Sequence, residues 1–436
     1  MKIGIVGLGY VGLSTGLGLS VLEHEILGFE INEVKSNQIK NCNLPIYEEG
    51  MQELLNSNLN KSFFVVDSLE HVVLGVEAVY ICVPTPTLSD GSINLSFVMK
   101  VAKDIGSILK QTPICPLIIV KSTVTPGSTK KVAEIIAKES NLPLNEVNIA
   151  MLPEFLKQGT AYNDFINPDR IIFGIKNGDL KSKNILFEMY KSINVKKFVV
   201  DIETAEFSKY ASNSFLALKI TFANELANLI DKFNLEKEGR VVNIDRIVEI
   251  MGSDKRINPA FLGAGPGFGG SCFPKDVKSL AYFSREYNTP FRLLETISEA
   301  NQNQAKMIIN YAKELIGNLK GKNIGIVGLA FKPNTDDTRE SPSKKIIDYL
   351  LNEGSNIFTW DPKAENNMRL EYPTLVYNDS LEDFENNKLD LAIIVTDWAE
   401  VKSYFGSLTH IPYKIIDTRR IGINADIIIG NSKKLN

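Results

Sequence analysis

The chain has 436 residues, 44% hydrophobic and 23% charged, and its 48 Lys and Arg against 52 Asp and Glu leave a net charge of −4. That is the composition of a soluble globular protein, and at about 100–200 residues per domain it implies several domains. It carries no dense basic patch of the kind a nucleic-acid or anionic-membrane partner needs. No window approaches the run of about 18 apolar residues that would span a membrane.

The four cysteines (Cys42, Cys82, Cys115, Cys272) have irregular spacing, and the three histidines are scattered. Neither set forms a disulfide framework or a metal-ligand pattern, so a cytoplasmic protein without metal is expected. The apolar N-terminal run has evenly spaced glycines and no cleavage site. It reads as structure and not as a signal peptide.

Lys2–Val6 is a short apolar strand, followed at once by Gly7-Leu-Gly9-Tyr-Val-Gly12. A helical pattern then runs through Leu13, Leu17 and Leu22, and Glu25–Glu30 reads as the next strand. In this context G-x-G-x-x-G is a dinucleotide fingerprint. Gly7 makes the tight turn, Gly9 lets the backbone approach a pyrophosphate, and Gly12 permits close helix–strand packing. The helix N-terminus offers its N–H groups and positive dipole end to the phosphates. Glu30 follows Gly12 by 18 residues. An acid at that place binds a ribose 2′-OH and repels a 2′-phosphate, which favours NAD over NADP.

Further strands are expected at Phe63–Val66, Ala78–Val83, Leu117–Lys121 and Val147–Leu152. Helical patterns lie between them near Glu48–Asn56, Asn94–Leu109 and Pro126–Ser140. This alternation gives a parallel, doubly wound sheet whose function gathers beyond the carboxyl ends of its strands. Val83-Pro-Thr85-Pro86, Lys121-Ser-Thr123-Val124 and Pro153-Glu154-Phe155 sit there. Taken singly, each polar group there reads first as a cap or turn residue.

From Thr204 to Asn234 the helical period persists without Gly or Pro, a length of about 45 Å. Phe207, Ala211, Leu218, Phe222, Leu229 and Phe233 form one apolar stripe. Lys209 and Asn213 lie four residues apart on a face roughly opposite, which continues as Leu216, Ile220, Ala223 and Ala227. Such a helix is expected to be buried or to lie at a dimer interface. Two readings of Lys209 stand: an ammonium that snorkels to water near the helix start, or a functional one.

Gly265-Pro-Gly-Phe-Gly269-Gly-Ser-Cys272-Phe-Pro274-Lys275-Asp276 is the most informative segment. Its glycines bring backbone close to something bulky, and Pro274 suits a first helical turn. That sets Cys272 at a helix N-terminus, where Lys275 and the dipole favour thiolate, with Asp276 near enough to hold a proton. Cys272 is the candidate nucleophile, and Cys82 and Cys115 read as structural. Lys322–Leu329 then opens a second dinucleotide-like sheet that lacks the full fingerprint, with a helix at Lys344–Leu351, a strand ending at Trp360-Asp361, and the strands Leu389–Thr396 and Lys414–Asp417. Its first loop carries Lys332 and Arg339, which suit phosphates or simply face solvent.

These motifs, with Leu44-Pro-Ile-Tyr-Glu-Glu-Gly50, occur in an order that resembles the UDP-glucose/GDP-mannose dehydrogenase family over nearly the whole chain. The resemblance implies two Rossmann-like doubly wound parallel-sheet domains of α/β class, joined by a helical central domain with a long connecting helix. The expected divisions are an NAD-binding domain at 1–200, a central dimerisation and catalytic domain at 201–300, and a UDP-sugar-binding domain at 301–436. It implies oxidation of a sugar C6 alcohol to a carboxylate by NAD in two hydride transfers, through a Cys272 thiohemiacetal and thioester. Lys209 and Asn213 would stabilise the oxyanion, Asp276 and Thr123 would position or activate water, and Glu154 would assist thioester hydrolysis.

The same resemblance assigns Gly7, Gly9, Gly12, Glu30, Lys35, Thr85, Thr123, Glu154, Lys275 and Arg339 to NAD. To the sugar nucleotide it assigns Glu154, Phe155, Leu156, Lys157, Lys209, Asn213, Arg256, Phe261, Leu262, Gly263, Ala264, Gly265, Gly269 and Lys332. The arginine matching Arg256 reaches across a dimer in relatives, and a homodimer through the central helix is expected. Where Glu30 stands the family commonly has Asp, and the longer acid still reaches the ribose. Gly252-Ser-Asp-Lys-Arg256-Ile resembles the UDP-glucose branch, whereas GDP-mannose enzymes share the Gly-Gly-Ser-Cys loop and stay the nearest alternative. An NAD-binding regulatory protein without chemistry is the alternative of a different class, and it is disfavoured because Cys272, Lys209 and Asp276 are all present.

Overall fold

In the computed structural model, residues 1–112, 114–236 and 242–431 are described. They fall into two compact units, Met1–Ser212 and Asn213–Asn436.

The first unit is built on strands β1 Lys2–Val6, β2 Glu25–Phe29, β3 Phe63–Val65, β4 Ala78–Ile81, β5 Leu117–Val120, β6 Ile149–Met151, β7 Ile171–Ile175 and β8 Lys197–Val200. They form one sheet in the order β3-β2-β1-β4-β5-β6-β7-β8. Alternate residues of these apolar strands enter two different cores. Ile3, Ile5, Tyr80 and Ile119 pack on one face, and Val6, Val79, Ile81 and Val120 on the other. Burial on both faces is why the strands read as unbroken apolar runs. The sheet departs from the expected all-parallel form at one place, where β7 pairs with β6 antiparallel. Only the short helix Ala161–Ile166 lies between them, and the chain returns in the opposite sense without a crossover.

The second unit carries β9 Asn323–Val327, β10 Asn356–Trp360, β11 Val376–Tyr377, β12 Leu391–Ile394, β13 Lys414–Asp417 and β14 Ile427–Ile428. Their order is β11-β10-β9-β12-β13-β14, and each pairing is parallel. The registers of the two sheets superpose residue for residue: Lys2 opposite Glu25 matches Asn323 opposite Asn356, and Ile3 opposite Ala78 matches Ile324 opposite Leu391. The second sheet is therefore a repeat of the first half-sheet. No helix among the described residues is long and apolar enough to cross a membrane.

The long helix spans Ile202–Glu236. Of its apolar stripe Phe207, Ala211, Phe222, Leu229 and Phe233 are exposed and Leu218 is half-buried, and Phe215 beside the stripe is exposed as well. The opposite face is buried and largely polar: Glu206, Lys209, Asn213, Asn224, Asp231 and Asn234 lie among Ala217, Ala223 and Ala227. The expectation of burial thus holds for the face that looks less apolar. Small residues let neighbouring backbone approach there, and the polar groups find partners on it.

Candidate active site

In the first unit the fingerprint turn has the geometry its glycines allow. Gly7 adopts φ +91°, and a Cβ on Gly12 would sit 1.9 Å from the Gly7 carbonyl oxygen, so helix and strand touch only because both are glycine. A Cβ on Gly9 would meet nothing within 4 Å. Space therefore opens in front of the helix Tyr10–Val21, whose N-terminus receives no side-chain cap. Its N–H groups stand available to a phosphate, and a dinucleotide fits this cradle. Glu30, half-buried at the end of β2, accepts the Leu8 N–H at 2.9 Å and the Asn32 N–H at 3.0 Å. Lys35 is exposed, and its backbone N–H takes the Asn32 cap. Thr85 and Thr123 follow β4 and β5, Thr85 buried and Thr123 half-buried. Ser122 fastens this edge through its hydroxyl to the Val83 carbonyl at 2.7 Å.

Beyond β6, Glu154 and Lys209 form a buried ion pair. The ammonium donates to the Glu154 Oε1 at 2.7 Å and to its backbone carbonyl at 2.6 Å. Lys209 is 3% and Glu154 7% exposed, which excludes the snorkelling reading. Burial pushes the Glu154 carboxyl up, but the Lys209 charge and hydrogen bond outweigh it and hold the group below the usual range. The Leu156 N–H takes Oε2 at 2.8 Å, and the Phe155 ring lies 5.3 Å from the Lys209 ammonium and 4.1 Å from the Arg170 guanidinium. Lys157 turns outward to Asp164. Lys121, one residue past β5, is also buried, and burial pushes its ammonium down.

In the second unit, Cys272 is the N-cap of the helix Phe273–Glu286 with Pro274 in its first turn. Its carbonyl accepts the Asp276 N–H at 2.8 Å. Asp276 is fully buried, takes Asn213 Nδ2 at 2.6 Å on one oxygen and Lys275 Nζ at 2.5 Å on the other. Lys275 is thus engaged by Asp276, and the thiol stands at the positive end of its helix. Burial pushes the Cys82 thiol up to about 12 and also raises that of Cys115, as befits structural cysteines.

The glycine loop before Cys272 is pressed against the loop after β9. A Cβ on Gly269 would lie 2.3 Å from the Glu340 carbonyl, and one on Gly270 would strike the Phe331 ring. Arg339 closes the same contact with its carbonyl, which accepts the Gly270 N–H, while its side chain forks onto Asp337. Phe261, at φ +65°, and buried Leu262 lead into this loop, and Lys332 lies half-buried beside Phe331.

Arg256 is not brought to this cluster within the chain. Its side chain is 89% exposed and pairs with Asp254. Residues that sequence reasoning missed hold the cluster together. Asn224 accepts the Gly265 N–H, Gln304 donates to the Gly265 carbonyl, and Asn301 bonds both polar groups of the Phe268 backbone. Arg419 donates to the Val395 and Phe331 carbonyls and lies 3.5 Å from where a Gly265 Cβ would be, and Arg420 reaches the Ala264 carbonyl. The double Arg419-Arg420 just past Thr418, beyond the carboxyl end of the parallel strand β13, was the available signal.

An intact fingerprint, a helix-capping thiol and a repeated nucleotide-type sheet define a dinucleotide-dependent oxidoreductase. Comparison with known proteins refines this. Residues 1–194, 203–303 and 325–422 match the NAD-binding, central and UDP-binding domains of the UDP-glucose/GDP-mannose dehydrogenase family. A UDP-glucose 6-dehydrogenase of Bacillus subtilis is 36% identical, across 93% of this chain and 89% of the relative. One from Haloferax volcanii is 34% identical across 97% of each. Among solved structures, a UDP-glucose dehydrogenase of Pyrobaculum islandicum matches with a TM-score of 0.88 at 33% identity, covering 97% of this chain and 94% of that one. The chain belongs to the UDP-glucose/GDP-mannose dehydrogenase family.

Proposed function

We propose that the protein is an NAD-dependent UDP-glucose 6-dehydrogenase that carries the C6 alcohol to the carboxylate of UDP-glucuronate. The observation that carries the reading is Cys272 at the head of a helix, four residues before a buried Asp276 held by Asn213 and Lys275. Gly7, Gly9 and Gly12 would hold NAD with Glu30 at its ribose, and a dinucleotide bound there would supply the hydride acceptor, a fresh oxidised one for each half of the reaction. In the first half the alcohol loses a proton and a hydride to become the aldehyde. Cys272 Sγ then adds to the aldehyde carbon as the thiol proton is transferred to the aldehyde oxygen, and the resulting thiohemiacetal loses a hydride and its hydroxyl proton to become a thioester. Water cleaves the C–S bond, returning the thiol and releasing the carboxylate.

Lys209 and Asn213 are the proposed donors to the developing oxyanion. Asp276 and Thr123 orient water, and Glu154, held ionised, assists thioester hydrolysis. Lys332, the 261–265 segment and Gly269 hold the nucleotide, and Arg256, exposed in one chain, serves a second copy. The exposed aromatic stripe on the long helix supports a homodimer through that helix. A cytoplasmic location agrees with NAD chemistry and with four cysteines that form no disulfide among the described residues.

The test is Cys272→Ser. Oxidation of UDP-glucose should fall by about three orders of magnitude or more, with NADH and UDP-glucose binding retained in calorimetry. Turnover at the wild-type rate would overturn the covalent route. Turnover of GDP-mannose alone by the wild-type protein would replace the substrate.

A further inference from the structure

Glu48, the first of the two acids in the Leu44–Gly50 motif, has no part in the chemistry above. It is 4% exposed, and a buried carboxylate is costly unless its oxygens are taken. Its Oε2 accepts the Tyr10 hydroxyl at 3.1 Å and the Gly159 N–H at 2.7 Å, and its Oε1 accepts the Ala161 N–H at 2.6 Å. Tyr10 lies between Gly9 and Gly12 and is the first residue of the helix that follows the fingerprint turn. Gly159 and Ala161 flank the N-cap of the helix Ala161–Ile166, where the loop carrying Glu154 to Lys157 ends. That loop is closed on itself by Asp164, which accepts the Lys157 N–H at 2.8 Å and the Thr160 hydroxyl at 3.0 Å. One carboxylate therefore joins the fingerprint turn to the loop that carries Glu154 to Lys157. Burial and the Glu48 charge push the Tyr10 phenol far above its ordinary range, so its hydroxyl stays protonated and donates at every working pH.

We infer that Glu48, acting through the Tyr10 hydroxyl, is a positioning residue that couples dinucleotide binding at Gly7–Gly12 to the Glu154–Lys157 loop, so that each ligand tightens the other. A ligand that fixes the first helical turn fixes the Tyr10 hydroxyl. Through Glu48 it then fixes the backbone N–H groups at the end of the substrate loop. The coupling is reciprocal by linkage. The inference rests on the NAD and UDP-glucose reading given above.

The experiment titrates the full chain with UDP-glucose by calorimetry, without and with saturating NADH, a pair that cannot react. Wild-type protein should bind UDP-glucose about five-fold or more tightly with NADH present. In Tyr10→Phe this ratio should fall to within about two-fold of unity, while the thermal midpoint stays near wild type and each ligand still binds alone. Glu48→Gln, which weakens the acceptor while keeping its shape, should lower the ratio in the same direction. An unchanged ratio in Tyr10→Phe, or no ratio in the wild type, overturns the inference. Failure of the wild type to bind UDP-glucose at all sinks the functional reading first, and the inference with it.

Discussion

After β1 the chain passes from Gly7 straight into a helix that starts at Tyr10, whereas after β9 Gly328 leads into a segment whose next helix starts at Pro342. The acids that end the neighbouring strands occupy equivalent places, yet they serve different ends. Glu30 is half-buried and holds the N–H groups of Leu8 and Asn32. Asp361 is buried and accepts from Leu329, Ala330, Lys363 and Ala364 backbone N–H groups and from the Trp398 indole. In the first sheet the acid accepts the Leu8 N–H but not that of Gly9, in front of which space is open. In the second, Asp361 accepts both equivalent N–H groups, those of Leu329 and Ala330, and the longer 329–341 loop that follows carries Lys332 and Arg339. A fold alone does not make a dinucleotide site; unspent N–H groups and an open approach do.

Glycine substitutions should break that contrast most strongly. Gly12→Ala forces helix and strand apart and should cut turnover by about 100-fold or more, with a fall in the thermal midpoint. Gly9→Ala, facing open space, should keep the midpoint and raise only the KM for NAD. Equal effects in the two variants would mean that Gly9 does not face the cofactor.

Next in size is Asp361→Ala, which strands several buried N–H groups and should destabilise the second unit by about 3 kcal/mol or more in chemical denaturation. The KM for NAD should stay near wild type, and a marked rise would show that the second sheet takes part in dinucleotide binding. A smaller effect is expected from Glu30→Gln, which removes the charge that repels a 2′-phosphate. The ratio of kcat/KM for NAD over NADP should fall by roughly ten-fold, and an unchanged ratio would remove Glu30 from the ribose site.

The smallest effect concerns His24, which stands before β2 where Ser355 stands before β10. Burial lowers the His24 pKa below its ordinary 6.5, and the ring bonds the Met189 carbonyl at 2.8 Å. Its folded state favours neutral imidazole, so its contribution to stability is complete above pH 6.5 and is lost as the pH falls below that value. His24→Ser should flatten the stability of the first unit between pH 7 and pH 5; an unflattened curve would exclude His24 as its source.

The sheets were legible because strands buried on both faces must be apolar throughout, and because a glycine fingerprint has few other uses. The cap position of Cys272 was legible for a similar reason, since Pro274 and the preceding glycines mark a helix start locally. The antiparallel β7 was not, as a short apolar run carries no record of its direction. Lys209 could not be resolved between a snorkelling and a buried group, because its partner Glu154 lies 55 residues away in sequence. Asn224, Asn301 and Gln304 were hidden for a related reason: an amide that pins a distant glycine loop looks, in sequence, like any polar helix residue. Which of the two apolar faces of the long helix is buried was not legible, because small and polar residues, not phenylalanines, pack against the neighbouring backbone there.

The central claim is that one chain carries an alcohol through a Cys272 thioester to a carboxylate. Complete consumption of a known amount of UDP-glucose with excess NAD, followed by NADH absorbance, tests it most directly. The account predicts about two NADH per UDP-glucose, with UDP-glucuronate as product. One NADH per UDP-glucose, with the aldehyde accumulating, would contradict it.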